Sequence, residues 1–399
     1  MKLQAKFAED GTAGILTYTL HDAGRLKPNA EILIGVAGRQ DIQLRMARAA
    51  DLPIDIHIHT HLFENGTYTL QAKAKSGWLG STIRAETVFK IEHRNGLAAK
   101  VSSLLSAAGT PPVFAGDCDS SYYPYDENGA MPWFDRPDAD EHIAALLRSG
   151  EISDTEAGAL RQFVKDGFMI LEGVIDDVLV AAVNAEIEDA IERKYQNYEF
   201  GTSQRIEHLH LHYPNMRKLW LDRRHLRLAD LVFGARARPC QTLTYIFGSQ
   251  QDAHQDTVHL TPFPAGYMCG IWIALQDICA NSGELVVYPG SHREPRIYLN
   301  GTGCNKVRSD WSEFGAKIVP KYQEISARYT AFVYRPKKGT VLIWHENLLH
   351  AGSIRLDQSL PRRSVVIHAF ADGAIGYYDS TGIAASAVPF AEIAAFAGN

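Results

Sequence analysis

The chain is poor in the residues that would staple, anchor or polarise it. Its 399 residues include five cysteines, Cys118, Cys240, Cys269, Cys279 and Cys304, scattered and without a CxxC pair. An odd and dispersed set suggests neither a disulfide framework nor a zinc knuckle, and suits a reducing cytoplasm. Nowhere do eighteen apolar residues run together, and the opening MKLQAKFAEDGT has no apolar core, so neither a membrane span nor a secretion signal is expected. Positive charge is not in excess either. The formal net charge of -6 argues against a general nucleic-acid or membrane-surface binder. What remains is 46% hydrophobic and 22% charged, the balance of a soluble globular protein, in a length that accommodates two domains.

Residues 1–105 read as short alternating strands split by turn residues: ILTYTL, EILIGVAG, PIDIHIHTHLF, TYTLQAKAKS and AETVFKIEH. The pattern predicts a small antiparallel β-sandwich, with Glu64-Asn65-Gly66 and Arg94-Asn95-Gly96 as turns. In one of its strands Asp55, His57, His59 and His61 share a face, opposite a row of isoleucines. Alternating imidazoles can bind zinc or copper. The plainer reading, a half-buried strand showing polar groups to solvent, is preferred, because one strand rarely completes a metal site. The same caution covers His208, His210 and His212, which could line a pocket.

Residues 106–149 are expected to be a linker and a connecting helix. Gly, Pro, Ser and Asp dominate up to residue 138, and Tyr122, Tyr123, Tyr125, Trp133 and Phe134 suggest packing on a surface. Helical spacing then begins at Asp140, and again after Ser153-Asp154-Thr155-Glu156, which has the residues of an N-cap. DGFMILEGV reads as strand and turn, and VLVAAVNAEIEDAIERKYQ as helix.

The chemistry gathers in residues 251–370. Side chains alternate along an extended strand, so His254 and Asp256 face one way and Gln255 the other. His350, in LLHAGS, is the third ligand of the set. Two imidazoles and a carboxylate describe the facial triad of non-haem Fe(II) oxygenases, which leaves positions open for substrates. Twelve residues past His350 comes Arg362, with Ser364 on the same strand face. A guanidinium beside a hydroxyl is a bidentate partner for a carboxylate, so the pattern asks for a dicarboxylate co-substrate. Arg363 would face away.

Around these residues stand GSQQDAHQDTVHL, GIWIALQDICANSGELVVYPGSHREP and KKGTVLIWHENLLHAGS, in that order. Together they resemble the phytanoyl-CoA dioxygenase family of Fe(II)/2-oxoglutarate oxygenases, over about residues 150–375. The resemblance implies a mainly β fold with flanking helices, in which a double-stranded β-helix (jelly-roll) barrel spans residues 150–399 behind the sandwich. It implies Fe(II) on His254, Asp256 and His350, and 2-oxoglutarate chelating that iron, with Arg362 and Ser364 on its far carboxylate. Trp272 would lie beside the co-substrate, and YPGSH, with His292, would be a structural turn. The implied reaction is hydroxylation of an unactivated carbon with release of succinate and carbon dioxide, and the presence of Asp256 argues against halogenation. LLHAGS has its serine three residues after the histidine where the family commonly has it two after, so Ser353 is not assigned to the co-substrate.

The expected primary substrate is a small molecule. Residues 293–338 form a polar crossing rich in Arg and Lys, from which an anionic or carrier-linked substrate is inferred, against a solvated basic loop. Neither nucleic acid nor membrane is expected as a partner, while the N-terminal part could support a homo-oligomer. Two other readings stand beside the oxygenase: an inactive binding protein whose sandwich does the work, and a cupin-type metal enzyme that does not use 2-oxoglutarate.

Overall fold

The computed structural model describes residues 1–5, 15–21, 26–59, 63–76, 81–93, 96–109, 119–125 and 131–382. The chain divides into two compact units, Met1–Pro124 with Gly373–Ile375, and Tyr125–Asp372 with the residues from Gly376 on.

The first unit holds two antiparallel sheets. Lys2–Ala5, Ile15–His21 and Ile54–His59 form one, in that order, while Arg39–Arg48, Glu31–Val36, Gly66–Ser76 and Ser81–Ile91 form the other. Alternation decides which side chains go inward: Ile54, Ile56 and Ile58 are buried, as are Ile32 and Ile34, and both rows belong to one apolar cluster with Leu20, Leu70 and Phe89. On the opposite face Asp55 accepts a hydrogen bond from Thr19 at 2.8 Å. The side chains of His57 and His59, and all of His61, lie outside the described residues.

Two expectations are corrected here. Asn65 does not reverse a hairpin: it lies between strand Ile54–His59 of one sheet and strand Gly66–Ser76 of the other, and its side chain accepts a hydrogen bond from the His93 backbone at 2.6 Å. The second turn, at Arg94-Asn95, falls outside the described residues. A helix, Gly96–Ala108, also runs across the boundary placed at 105/106, burying Ala98, Val101 and Leu105. Spacings of three and four residues mark one helical face.

The second unit opens with helices Ala139–Arg148 and Asp154–Asp166. Ser153 and Glu156 form a reciprocal capping box at the second, and Gly167 ends it at φ 82°. Trp133 and Phe134 are buried in this unit, the indole donating to the Val232 carbonyl at 2.7 Å. Behind them lies an antiparallel six-stranded sheet in the order Phe168–Leu171, Val341–His345, Met268–Ala274, Ser364–Ala371, Ala237–Tyr245 and Ile206–Glu207. A three-stranded sheet, Phe332–Tyr334, Leu285–Val287 and His350–Gly352, contributes to the same apolar cluster, as in a jelly-roll barrel. Among the described residues no helix is long and apolar enough to cross a membrane.

Candidate active site

Strand register builds the site in rungs across the large sheet. Trp344, Gly270, His368 and Gln241 stand side by side on four neighbouring strands, and Leu342, Trp272, Val366 and Leu243 form the next rung of the same face. Ala274, Ser364 and Tyr245 form the third. An irregularity between Pro239 and Gln241 sets Gln241 opposite His368. Gly270 is required where it is, since a Cβ there would lie 2.1 Å from the Trp344 indole. Only a bare backbone lets that indole lie across the strand and donate its N–H to Asp256 Oδ2 at 2.7 Å.

The backbones of His254 and His350 exchange two hydrogen bonds, each 3.0 Å long. Each ring is then oriented through Nδ1, which lies 2.8 Å from the Asp252 carbonyl for His254 and 3.0 Å from the Leu348 carbonyl for His350. With Nδ1–H donating, both Nε2 atoms keep their lone pairs, and they point to Asp256 Oδ1 at 3.7 and 3.6 Å. All three residues are buried, and one ligand atom from each lies within 4.8 Å of the others. The second carboxylate oxygen, Oδ2, is held by Trp344 and faced by His368 Nε2 at 3.4 Å. Gln241 lies 2.8 Å from His368 Nδ1, and its amide N–H donating there leaves the ring proton on Nε2, toward Asp256.

The alternation of His254 and Asp256 is present, but the strand is not. His254 makes an isolated bridge to His350, and Asp256 already begins a 3-10 turn, Asp256–Val258. The Glu346 carbonyl accepts from the Thr257 backbone at 3.1 Å and so bends the chain down just after the carboxylate. Gln255 remains extended and turns aside, its amide accepting from the Ile297 backbone at 3.3 Å and donating to the Pro295 carbonyl at 3.3 Å.

Burial by itself would raise the Asp256 carboxyl, but facing His350 and the hydrogen bond from His368 outweigh it and hold the group well below the usual carboxylate range. Burial, with His350 beside it, pushes His254 down to about 3. Carboxylate and neutral imidazole are the forms that bind a metal ion.

Arg362 is buried, its Nε donating to the Gly283 carbonyl at 3.0 Å and its guanidinium to the Ser364 hydroxyl. Its Cζ lies 5.5 Å from the Tyr245 ring centre and 5.7 Å from that of Trp272. Among the described residues no carboxylate comes within 4.0 Å of it. Burial lowers it to about 10, against the opposing pull of Tyr245 and Glu284, so it is a cation at neutral pH. A buried cation without a counter-ion is costly, and a carboxylate ligand removes the cost. The Trp272 indole N–H is likewise buried and without a partner. A cation without a carboxylate partner and an indole N–H without an acceptor fit a dicarboxylate co-substrate, as the triad fits a divalent iron.

The other expected residues separate cleanly. Arg363 faces away, paired with Glu188 and 3.4 Å from Asn184. Ser353 donates to Glu284 at 2.9 Å and is not part of the cavity wall. His292 packs in the turn, its Nε2 3.3 Å from the Val164 carbonyl. Of His208, His210 and His212 only His208 lines the cavity; His210 is buried on Trp220, and burial pushes its imidazole down to about 3. The cavity, about 670 Å³, has Arg362 and Trp272 in its wall together with the triad and His259. Trp344, Gln241 and His259 were not expected there. The only signal for the first two is the pairing of strands remote in sequence.

Fe(II) and 2-oxoglutarate are the cofactors that this donor set serves. The model of the phytanoyl-CoA dioxygenase family matches residues 163–363, half of the chain, and the chain belongs to that family. Solved structures similar to it include the non-heme alpha ketoglutarate dependent carbocyclase SnoK from nogalamycin biosynthesis, at 18% identity and a TM-score of 0.47, over 58% of this chain and 88% of that one. The epimerase SnoN, in complex with Fe3+, alpha ketoglutarate and nogalamycin RO, is 19% identical with a TM-score of 0.42, over 60% and 86% of the two chains. EctD from S. alaskensis with bound Fe is 21% identical, with a TM-score of 0.42, over 55% and 77%. No curated protein matches the chain.

Proposed function

We propose that the protein is an Fe(II)- and 2-oxoglutarate-dependent dioxygenase that hydroxylates an unactivated carbon of a small molecule. The observation that carries this reading is the division of labour at Asp256: Oδ1 faces two free imidazole nitrogens, while Oδ2 is taken by protein donors. Such a set suits one ion held by three protein atoms, with positions left for other ligands. His254, Asp256 and His350 would hold the iron. Arg362, backed by Ser364, would pair with the far carboxylate of 2-oxoglutarate, and the Trp272 N–H would face it. When bound, iron and 2-oxoglutarate supply the oxidising chemistry that leaves succinate and carbon dioxide.

The protein's own part is orientation and exclusion of water. Leu243, Val366 and Leu342 surround Trp272 with apolar groups, so the Arg362 cation acts in a medium of low dielectric. Trp344 and His368 fix the carboxylate plane, and the Asp252 and Leu348 carbonyls fix the rings. Arg362, a buried cation with no carboxylate beside it, weighs against a cupin-type enzyme that needs no dicarboxylate. We further read the two sheets of the first unit as a β-sandwich accessory domain, residues 1–105 in the sequence division, that positions a partner such as a second copy of the chain.

The test is anaerobic titration of Fe(II) into the protein with 2-oxoglutarate, followed by air and assay of succinate. A visible charge-transfer band from the chelate and succinate formed in step with 2-oxoglutarate consumed are expected. Metal binding without any dependence on 2-oxoglutarate would favour the cupin-type reading.

A further inference from the structure

Residues 293–338 look in sequence like a basic strap, but in the structure seven of their ten cations are ion-paired. Arg296 meets Glu346 at 2.9 Å, Lys306 meets Asp379 at 3.0 Å, and Arg328 meets Glu294 at 2.6 Å. Lys317 pairs with Glu313, Arg335 with Glu284, Lys337 with Asp277 and Lys338 with Asp177. What this crossing gives the cavity wall is aromatic instead: Trp311 and Phe314.

Those two rings meet a third. His259 lies 5.7 Å from Trp311 and 5.3 Å from Phe314, centre to centre, and Trp311 and Phe314 are themselves 5.3 Å apart. Phe314 is anchored in a buried cluster with Ile318 and Tyr322, whereas Trp311 is left 49% exposed. A large indole half in water at the edge of a cavity is a surface waiting to be covered. The wall reaches the metal site, because His259 is 6.1 Å from His254 and its backbone N–H is bonded to the Asp256 carbonyl at 2.8 Å. The arginine elsewhere in the wall, Arg205, is paired with Glu207 at 2.9 Å, and Arg362 belongs to the co-substrate. Little in this wall selects for an anion.

We propose that Trp311, Phe314 and His259 form a stacking subsite for an uncharged ring of the primary substrate, so that the enzyme acts on a neutral ring-bearing small molecule rather than an anionic or carrier-linked chain. Recognition here uses the apolar face of the ring, a property that an arene shares with a sugar ring. This inference rests on the oxygenase reading above, and it replaces charge by stacking as the basis of selection.

Two matched pairs of probes test it on the full chain: naphthalene-2-methanol against 2-naphthoate, and methyl β-glucoside against glucose 6-phosphate. Binding is measured by saturation-transfer NMR on the protein loaded with zinc and 2-oxoglutarate. A neutral member should bind at least about tenfold more tightly than its anionic partner, Trp311→Ala should weaken it by about tenfold, and Trp311→Phe should restore most of the loss. Whichever pair shows the effect identifies the ring as arene or sugar. Tighter binding of both anions, no binding of either neutral probe, or equal affinity in Trp311→Ala and wild type would overturn the proposal. The charge-transfer band of the wild-type protein reports separately on the oxygenase reading, so a missing band and a missing stacking effect are different failures.

Discussion

The six-stranded sheet and the 293–338 crossing both line one cavity, yet they build their shares of it by different means. The sheet places Trp344, Gly270, His368 and Gln241 on one rung by backbone pairing, so their positions are fixed by hydrogen bonds that do not depend on the side chains. The crossing instead folds on an apolar cluster of its own, with Phe314, Ile318, Tyr322 and Ile325 in contact with Val258 and Leu349. A rigid register suits chemistry that tolerates little misplacement. A helical crossing can change its rings without disturbing that register, which suits specificity.

If the sheet is the rigid half, its ligands should be the least forgiving positions. Asp256→Asn is expected to abolish turnover and to weaken Fe(II) binding by more than the roughly 10- to 100-fold that loss of an outer partner costs. The amide oxygen would take the Trp344 and His368 donors, which turns an NH2 toward the metal. Metal titration by competition with a coloured chelator checks this, and full activity would remove Asp256 from the site. One rung system further along, Arg362→Ala should raise KM for 2-oxoglutarate roughly thirty-fold to a thousand-fold. Arg363→Ala, which loses the pair with half-exposed Glu188 and the contact with Asn184, should change it less than about threefold. The reverse order of effects would place the wrong arginine in the cavity.

Between these extremes lies His368. Its replacement by alanine removes one of the two groups at Asp256 Oδ2 and leaves Gln241 without an acceptor. Fe(II) affinity should fall by about tenfold, in line with other outer-shell histidine partners, while KM for 2-oxoglutarate stays within about twofold. Unchanged affinity would show that the Trp344 bond alone orients the carboxylate.

The same contrast explains what could be read without the structure. The proposed ligands His254 and Asp256 and the proposed co-substrate pair Arg362 and Ser364 could be singled out because alternation along a strand points to chemistry, His350 was singled out with the family-like motif around it, and the outward turn of Arg363 follows from a period of two. Trp344 and Gln241 were not, since nothing within TVLIWHE or RPCQTLTY says that Gly270 and His368 will stand between them. In the crossing the signal was present but masked: Phe314, Ile318, Tyr322 and Ile325 recur at intervals of four, four and three, a helical face hidden among charged neighbours. Helix Gly96–Ala108 was missed similarly, its buried Val101 and Leu105 lying among alanines and serines. Asn65 misled for a different reason, because Asn-Gly marks a chain reversal without saying whether the next strand joins the same sheet.

The smallest effect is expected where the sequence looked most suggestive. Arg328 and Lys337 belong to the basic crossing, but their side chains are 56% and 83% exposed and pair with Glu294 and Asp277. Exposed pairs of this kind contribute little, and salt screens them. Neither residue is part of the cavity wall. Arg328→Ala and Lys337→Ala, alone or together, should therefore leave KM for any coupled substrate within about twofold and lower Tm by only a few degrees. Raising the salt concentration should be equally mild, since a pocket that selects by stacking has no long-range attraction to screen. Substrate kinetics at low and at high salt for these variants beside Trp311→Ala make the comparison direct. A steep salt dependence of KM that the Arg328 and Lys337 variants abolish would return selection to charge, and the crossing would then be a basic strap after all.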